Sequence, residues 1–327
     1  MLSFRPSLAE GRTRNHDPAP MPALRELLGR LAHRGVAGLL QATADRLPGR
    51  EEGDVPGLAP PPEAPVRPLD PAASLALSRI AWADRLWEPG CLIPGGAAEI
   101  ERLCGLLPLS PATTLLLAGR DAGGAAGTII RRCGAWVAAH QHDPVLAEQM
   151  AHRLRPFGRR ATVLPWDPEA PLFRAGYHHH ALVLEPLAAG GSIDLLAPAL
   201  AAALKPAAQL VVLDVVRGDG PASRPGLDRW LALEGRTGPP PEPRAVEGAL
   251  QAAGFQIHVA EDAAPRQCAA VIECWARLTG ELRAAGADQL RNAAAGLIAE
   301  AELWLLRHRL LGTGAIGLRR WHATLRR

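Results

Sequence analysis

The sequence predicts an α/β protein, a mostly parallel sheet with helices on both faces. Three observations predict it. Short apolar runs recur through the middle of the chain, at residues 115–118, 136–140, 161–164, 181–184 and 209–216. Between them lie segments with helical spacing, at 126–132, 144–154 and 193–204. The first run also breaks into a glycine-rich turn, "GRDAGGAAG", that opens a helix. Apolar strands alternating with helices are buried on both faces, which is the habit of parallel sheets. A strand, a glycine turn and a helix in that order usually cradle a nucleotide-type ligand.

The flanking elements follow by the same reasoning. Residues 1–20 are polar and are expected to be disordered. Residues 21–48 carry Leu24, Leu27, Leu28, Leu31, Leu39 and Leu40, mostly three and four apart, so an amphipathic helix is expected. The prolines of residues 49–71 forbid helix and deny strand donors, which makes that stretch a linker. The helix before it is then either tethered to the main domain or offered for homo- or hetero-oligomerisation. From residue 72 to 327 the pattern is globular, with a core at 113–217. Helix is expected at 73–86 and 96–107, a polar Pro-rich loop after Arg217, and a helix near 244–253. A strand follows at 254–262, then a C-terminal helical insertion over 265–311. "IGLRRWHATLRR" is expected to close the sheet as an edge strand, with Arg319, Arg320, Arg326 and Arg327 as a solvated face and tail.

Composition narrows the partners. A net charge of +3 on 327 residues gives no warrant for nucleic-acid binding. Five cysteines, odd in number and without CxxC spacing, fit neither zinc nor a disulfide framework, and a reducing cytoplasm is expected. No secretory signal or membrane span is expected either. The histidines of "YHHH" alternate faces on entering a strand and lack a helix-spaced carboxylate partner, so no metal site is expected there.

Five stretches stand out in order: "RLWEPGCLIPGG", "LLLAGRDAGGAAGTIIRRCGAWVAAHQHDPVLAEQM", "LPWDPEAPLF", "ALKPAAQLVVLDVV" and "LQAAGFQIHVAED". Together they resemble the S-adenosylmethionine-dependent methyltransferases of the Rossmann-like type, particularly the bacterial ones acting on small molecules. The fourth stands where the family usually writes LKPGG and an apolar strand. The likeness runs from about Arg79 to the C-terminus and implies a methyl transfer to a small-molecule acceptor.

It also implies a cofactor site, and this chain departs from it in particular ways. The family ends its first strand in an acid followed by three alternating glycines, whose backbone N–H groups approach the cofactor closely. Here Leu117 takes the acid's place, Gly119 and Gly123 keep the first and third glycines, and Asp121 replaces the second. Asp121 is open to two readings, a contact to the cofactor's ammonium that Leu117 cannot make, or a cap for the following helix. Gln141 stands where a second acid usually holds the ribose hydroxyls, and lacks the charge that strengthens such bonds. Asp143, two residues on, reads as a helix cap. Asp167 matches the adenine-facing polar residue, with Trp166 beside it to stack on the ring or to pack in the core. Glu185, after the fourth strand, is the expected residue to orient or deprotonate an acceptor. Trp82, Asp84 and Trp87 form either a lid or a packed helix. With two of three acids gone, the rival reading is a catalytically inactive member that serves as a scaffold or regulatory subunit.

Overall fold

A computed structural model describes residues 71–285 and 294–326. The expected helix over 21–48, the stretch before it and all but the last residue of the linker lie outside them.

Among the described residues, seven strands form one sheet in the order β3-β2-β1-β4-β5-β7-β6. The five parallel ones are β1 (Thr114–Gly119), β2 (Trp136–Gln141), β3 (Ala161–Pro165), β4 (His178–Leu184) and β5 (Leu204–Arg217). Strand β7 (Ile316–Leu325) runs antiparallel between β5 and β6 (Phe255–Asp262). The final strand is therefore interior, not the expected edge, and β6 closes that side. Arg320 is correspondingly buried and paired with Glu261, the residue opposite it on β6. An interior position forces that charge to find a partner inside the fold.

Side chains alternate across the sheet and build two cores. On one face, Leu115, Leu117, Leu182, Leu184, Val211, Leu213 and Leu318 meet α1 (Pro71–Trp87), α2 (Gly96–Cys104), α3 (Gly124–Cys133) and α4 (Pro144–Leu154). The helical insertion joins this face as α8 (Ala264–Ala285) and α9 (Ala294–Gly312), and Trp87 meets Trp304 edge-on at 4.9 Å. On the other face, Leu116, Ala118, Ala181, Val183, Leu210, Val212 and Trp321 pack against α5 (Ile193–Ala203) and α7 (Pro243–Ala252). Each such leucine contributes roughly 1.5–3 kcal/mol on burial.

One helix was not expected. After Arg217 the chain forms α6 (Arg224–Glu234), with Pro225 in its first turn, where a missing N–H costs nothing. The LKPGG-like turn survives as Lys205–Pro206–Ala207, and Ala207 holds the left-handed backbone (φ 61°) that glycine favours.

Candidate functional site

Strand order reverses between β2, β1 and β4, and a crevice opens beyond their carboxyl ends, the usual ligand position in such sheets. It is a cavity of about 320 Å3. That is the lower end of the range for small-molecule sites, roughly 300–1,000 Å3. Gly119 and Arg120 line it from β1, and Gln141, His142 and Asp143 from β2. Val145 and Leu146 enter from α4, Glu185 and Ala188 from the turn after β4, and Glu234 and Gly235 from the end of α6. The roof comes from Arg79, Ile80, Ala83 and Trp87 of α1 with Glu300 and Trp304 of α9.

The glycine turn is built for close approach. Gly119 has φ 104°, and a Cβ there would lie 2.0 Å from the Leu184 carbonyl oxygen. Gly123 begins α3 in the same left-handed conformation. The segment before α2 clamps the turn, since Gly90 O accepts from Ala122 N (2.9 Å) and Gly124 N (3.1 Å). Arg153 adds a side-chain tie, donating to Ala122 O at 3.0 Å and pairing with Asp84 at 2.5 Å.

Of the residues expected from the sequence, Gly119, Gln141 and Glu185 line the crevice, while Asp121, Gly123, Trp166 and Asp167 do not. Asp121 is buried with its carboxylate turned onto α3, accepting from Ala125 N (2.8 Å) and Ala126 N (3.3 Å). Of its two readings, the cap is the one the geometry shows. Burial pushes its pKa up to about 6, against the pull of those amides. The Gln141 amide is spent on the backbone, donating to Asp121 O (2.8 Å) and accepting from Asp143 N (3.1 Å). Asp143 caps α4 through Val145 N and Leu146 N. Asp167 closes a turn onto Glu169 N (2.9 Å), and Trp166 stacks on Phe173 in the core of the opposite face. The "YHHH" histidines divide between the faces. His179 meets Thr114 and Lys205, while His178 is buried near His140.

The rear wall carries chemistry that sequence reasoning missed. Arg307 of α9 is wholly buried and grips Glu185 in two-point fashion, Nη2 to Oε1 at 2.5 Å and Nη1 to Oε2 at 2.8 Å. Its Nη1 also donates to Glu234 (2.6 Å), and its Nε to Gln267 (3.0 Å). Arg120 lies 3.0 Å from Glu234 and 3.4 Å from Glu185, and Arg236 binds Glu234 at 2.6 Å. Burial alone would raise both acids, but Arg307 and then Arg120 override it. Glu185 ends below its ordinary value and Glu234 at about 2. Asp214, behind them, is pushed up to about 6 by burial that Arg236 only partly offsets. Glu185 also sits at φ 47°, a strained backbone for a non-glycine residue, of a kind that clusters at functional sites. In the roof, Glu300 accepts from Arg79 (2.6 Å) and from the Trp304 indole (3.0 Å). No local pattern marks Glu234, Glu300 or Arg307, because Glu234 and Glu300 reach the crevice, and Arg307 the acids behind its wall, from helices remote in sequence.

No protein-family model and no curated protein matches the sequence. Solved structures do match. Phosphoethanolamine N-methyltransferase 2 of Haemonchus contortus, in complex with S-adenosyl-L-methionine, superimposes with a TM-score of 0.66 at 17% identity, over 76% of this chain and 57% of that one. The [4+2]-cyclase SpnF gives 0.59 at 16%, over 80% and 98%. The cyclopropane synthase MmaA2 of Mycobacterium tuberculosis gives 0.53 at 18%, over 69% and 83%. At these identities the likeness is one of fold, and the chain has the Rossmann-like methyltransferase fold.

Proposed function

We propose that the crevice binds S-adenosylmethionine and that the protein transfers its methyl group to a small-molecule acceptor. The observation that carries this reading is the open cavity at the switch point of the sheet, walled by Gly119, Gln141 and Glu185. Side chains have not filled the place where an adenosyl group would lie. The residues suit the group in shape more closely than in charge. Gly119 and Arg120 would border its amino-acid end, and Gln141, His142 and Leu146 its adenosyl end. The turn lacks the carboxylates, and Glu185 and Glu234 stand at the rear of the crevice instead, each paired with Arg307. When bound, the group supplies an activated methyl carbon, so the protein's task is alignment of the acceptor rather than its activation. Glu185, held ionised by Arg307, is suited to orienting an acceptor through a hydrogen bond more than to taking its proton.

A second reading, a protein that has kept the fold without methyl transfer, is favoured by one observation. Glu185, Glu234 and Glu300 are each already ion-paired. Fold alone does not choose between the two. Calorimetric titration of the full chain with S-adenosylmethionine and S-adenosylhomocysteine separates them. Saturable binding of both supports the first reading, and silence at millimolar ligand sinks it.

A further inference from the structure

A second cavity, of about 270 Å3, opens on the same face of the sheet, between the start of α2 and the first turns of α8. Its apolar wall is Ile93, Leu213, Leu318 and Ala270, and its polar wall is Glu99, Arg102, Arg266 and Gln267. Arg102 is committed to Glu99 by two bonds of 2.9 and 2.6 Å. Arg266 is committed only in part. Its Nη1 donates to Glu261 at 3.0 Å, but its Nε and Nη2 are shut away from solvent with no hydrogen-bond acceptor among the described residues, although the side chain as a whole is 38% exposed. The Nε lies 3.4 Å from Glu99, an ion-pair distance without hydrogen-bond geometry.

Arg320, on the same face of β7 as Leu318, pairs with Glu261 and leaves its own Nε unmatched. Among the described residues, three guanidiniums thus share two carboxylates, Glu99 and Glu261, which leaves one positive charge in excess. Buried donors without acceptors are costly, and a turn of the Arg266 side chain that brings its unmatched nitrogens to an anion in the cavity would satisfy them and cancel that charge together. Gln267 then links the place to the rest of the molecule. It is 6% exposed, lines this cavity, and accepts from Arg307 Nε, whose other two nitrogens hold Glu185 and Glu234 in the first crevice.

We propose that this cavity is a second ligand site, taking a small organic anion whose charged head meets Arg266 and whose apolar body lies on Ile93, Leu213 and Leu318. Its occupancy is transmitted to the crevice wall through Gln267 and Arg307. The site stands whatever the crevice itself binds.

The test titrates the full-length protein by calorimetry with butyrate, butyl phosphate and inorganic phosphate at fixed chloride. Saturable binding of butyrate or butyl phosphate is expected, at least tenfold tighter than inorganic phosphate, and the tighter of the two identifies the head group as carboxylate or phosphate. Arg266→Gln should weaken it tenfold or more. Ala270→Leu, which narrows the cavity without touching a charge, should weaken it as well. In a 15N-labelled sample the Arg307 Nε–H resonance should shift on saturation, and Gln267→Leu should abolish that shift while binding persists. No saturable binding, binding indifferent to both Arg266→Gln and Ala270→Leu, or equal affinity for inorganic phosphate would overturn the site. An Arg307 resonance that never moves would overturn its link to the crevice.

Discussion

The turn after β1 and the end of β4 are neighbours in the sheet, and each presents one acid beyond its strand, yet the two acids do opposite work. Asp121 folds back onto the amides of α3 and turns away from the crevice. Glu185 leaves a strained backbone at the crevice wall and turns its carboxylate onto a buried arginine 122 residues further on. The first acid serves the backbone of its own loop, a local matter settled within five residues. The second belongs to a charge network drawn from β1, β4, α6 and α9. A carboxylate placed by a turn is spent where it stands, whereas one placed by a strand end is free for whatever the tertiary structure brings to it.

The largest break in that contrast is Arg307→Met. It leaves Glu185 and Glu234 buried with their chief counter-charge removed, so unfolding in urea should show a loss of about 3–5 kcal/mol. A loss under about 1 kcal/mol would mean that water screens the network. Asp121→Ala removes only a cap and should cost about 1–2 kcal/mol. Affinity for S-adenosylhomocysteine should stay unchanged in that variant. A marked fall in affinity would return Asp121 to the binding site.

Acid separates the pair further. With its folded pKa raised to about 6, above the ordinary 3.8, Asp121 takes up a proton more readily in the folded chain than in the unfolded one. Its contribution to stability therefore improves as pH falls from 6 towards 3.8. Glu185, held below its ordinary value, is still ionised at pH 6, and its support is lost only as pH falls below 4.5. Carboxyl 13C resonances should show Asp121 titrating near 6 and Glu185 still unmoved there. Coincident titration would dissolve the contrast. His140 and His178 act in the opposite sense to Asp121. Burial lowers each from 6.5 to about 4, so the neutral rings favour the fold above pH 6.5 and lose that support as pH drops towards 4. Replacing both with phenylalanine should flatten the fall in stability between pH 6.5 and 4.5, read by chemical unfolding at each pH. The smallest effect belongs to Ala207→Gly, which relieves a left-handed alanine and should stabilise by about 0.5 kcal/mol.

The same contrast explains what the sequence could disclose. The strands and most helices were legible because alternating apolar runs and Gly, Pro and Asp punctuation are local signals, and Asp121 and Asp143 both cap the helices that follow them. The helix at 224–234 was hidden behind a proline and glycines that also suit a loop. The interior place of β7 was not legible from its own residues, since antiparallel pairing on both edges depends on β5 and β6. In the crevice, Gly119 and Gln141 could be found from the turn they belong to. Arg307, 122 residues from its partner Glu185, could not be found that way, because nothing near either residue announces the pairing.

The place of β7 has a consequence for how the protein is made. A ribosome releases the parallel half of the sheet, with Glu185 and Glu234, well before the helix that bears Arg307. The strand that joins β5 to β6 emerges after both. Throughout that interval Glu185 and Glu234 lack their chief counter-charge and β5 and β6 lack the strand that joins them, so the nascent chain depends on α9 and β7 to complete both the charge network and the sheet.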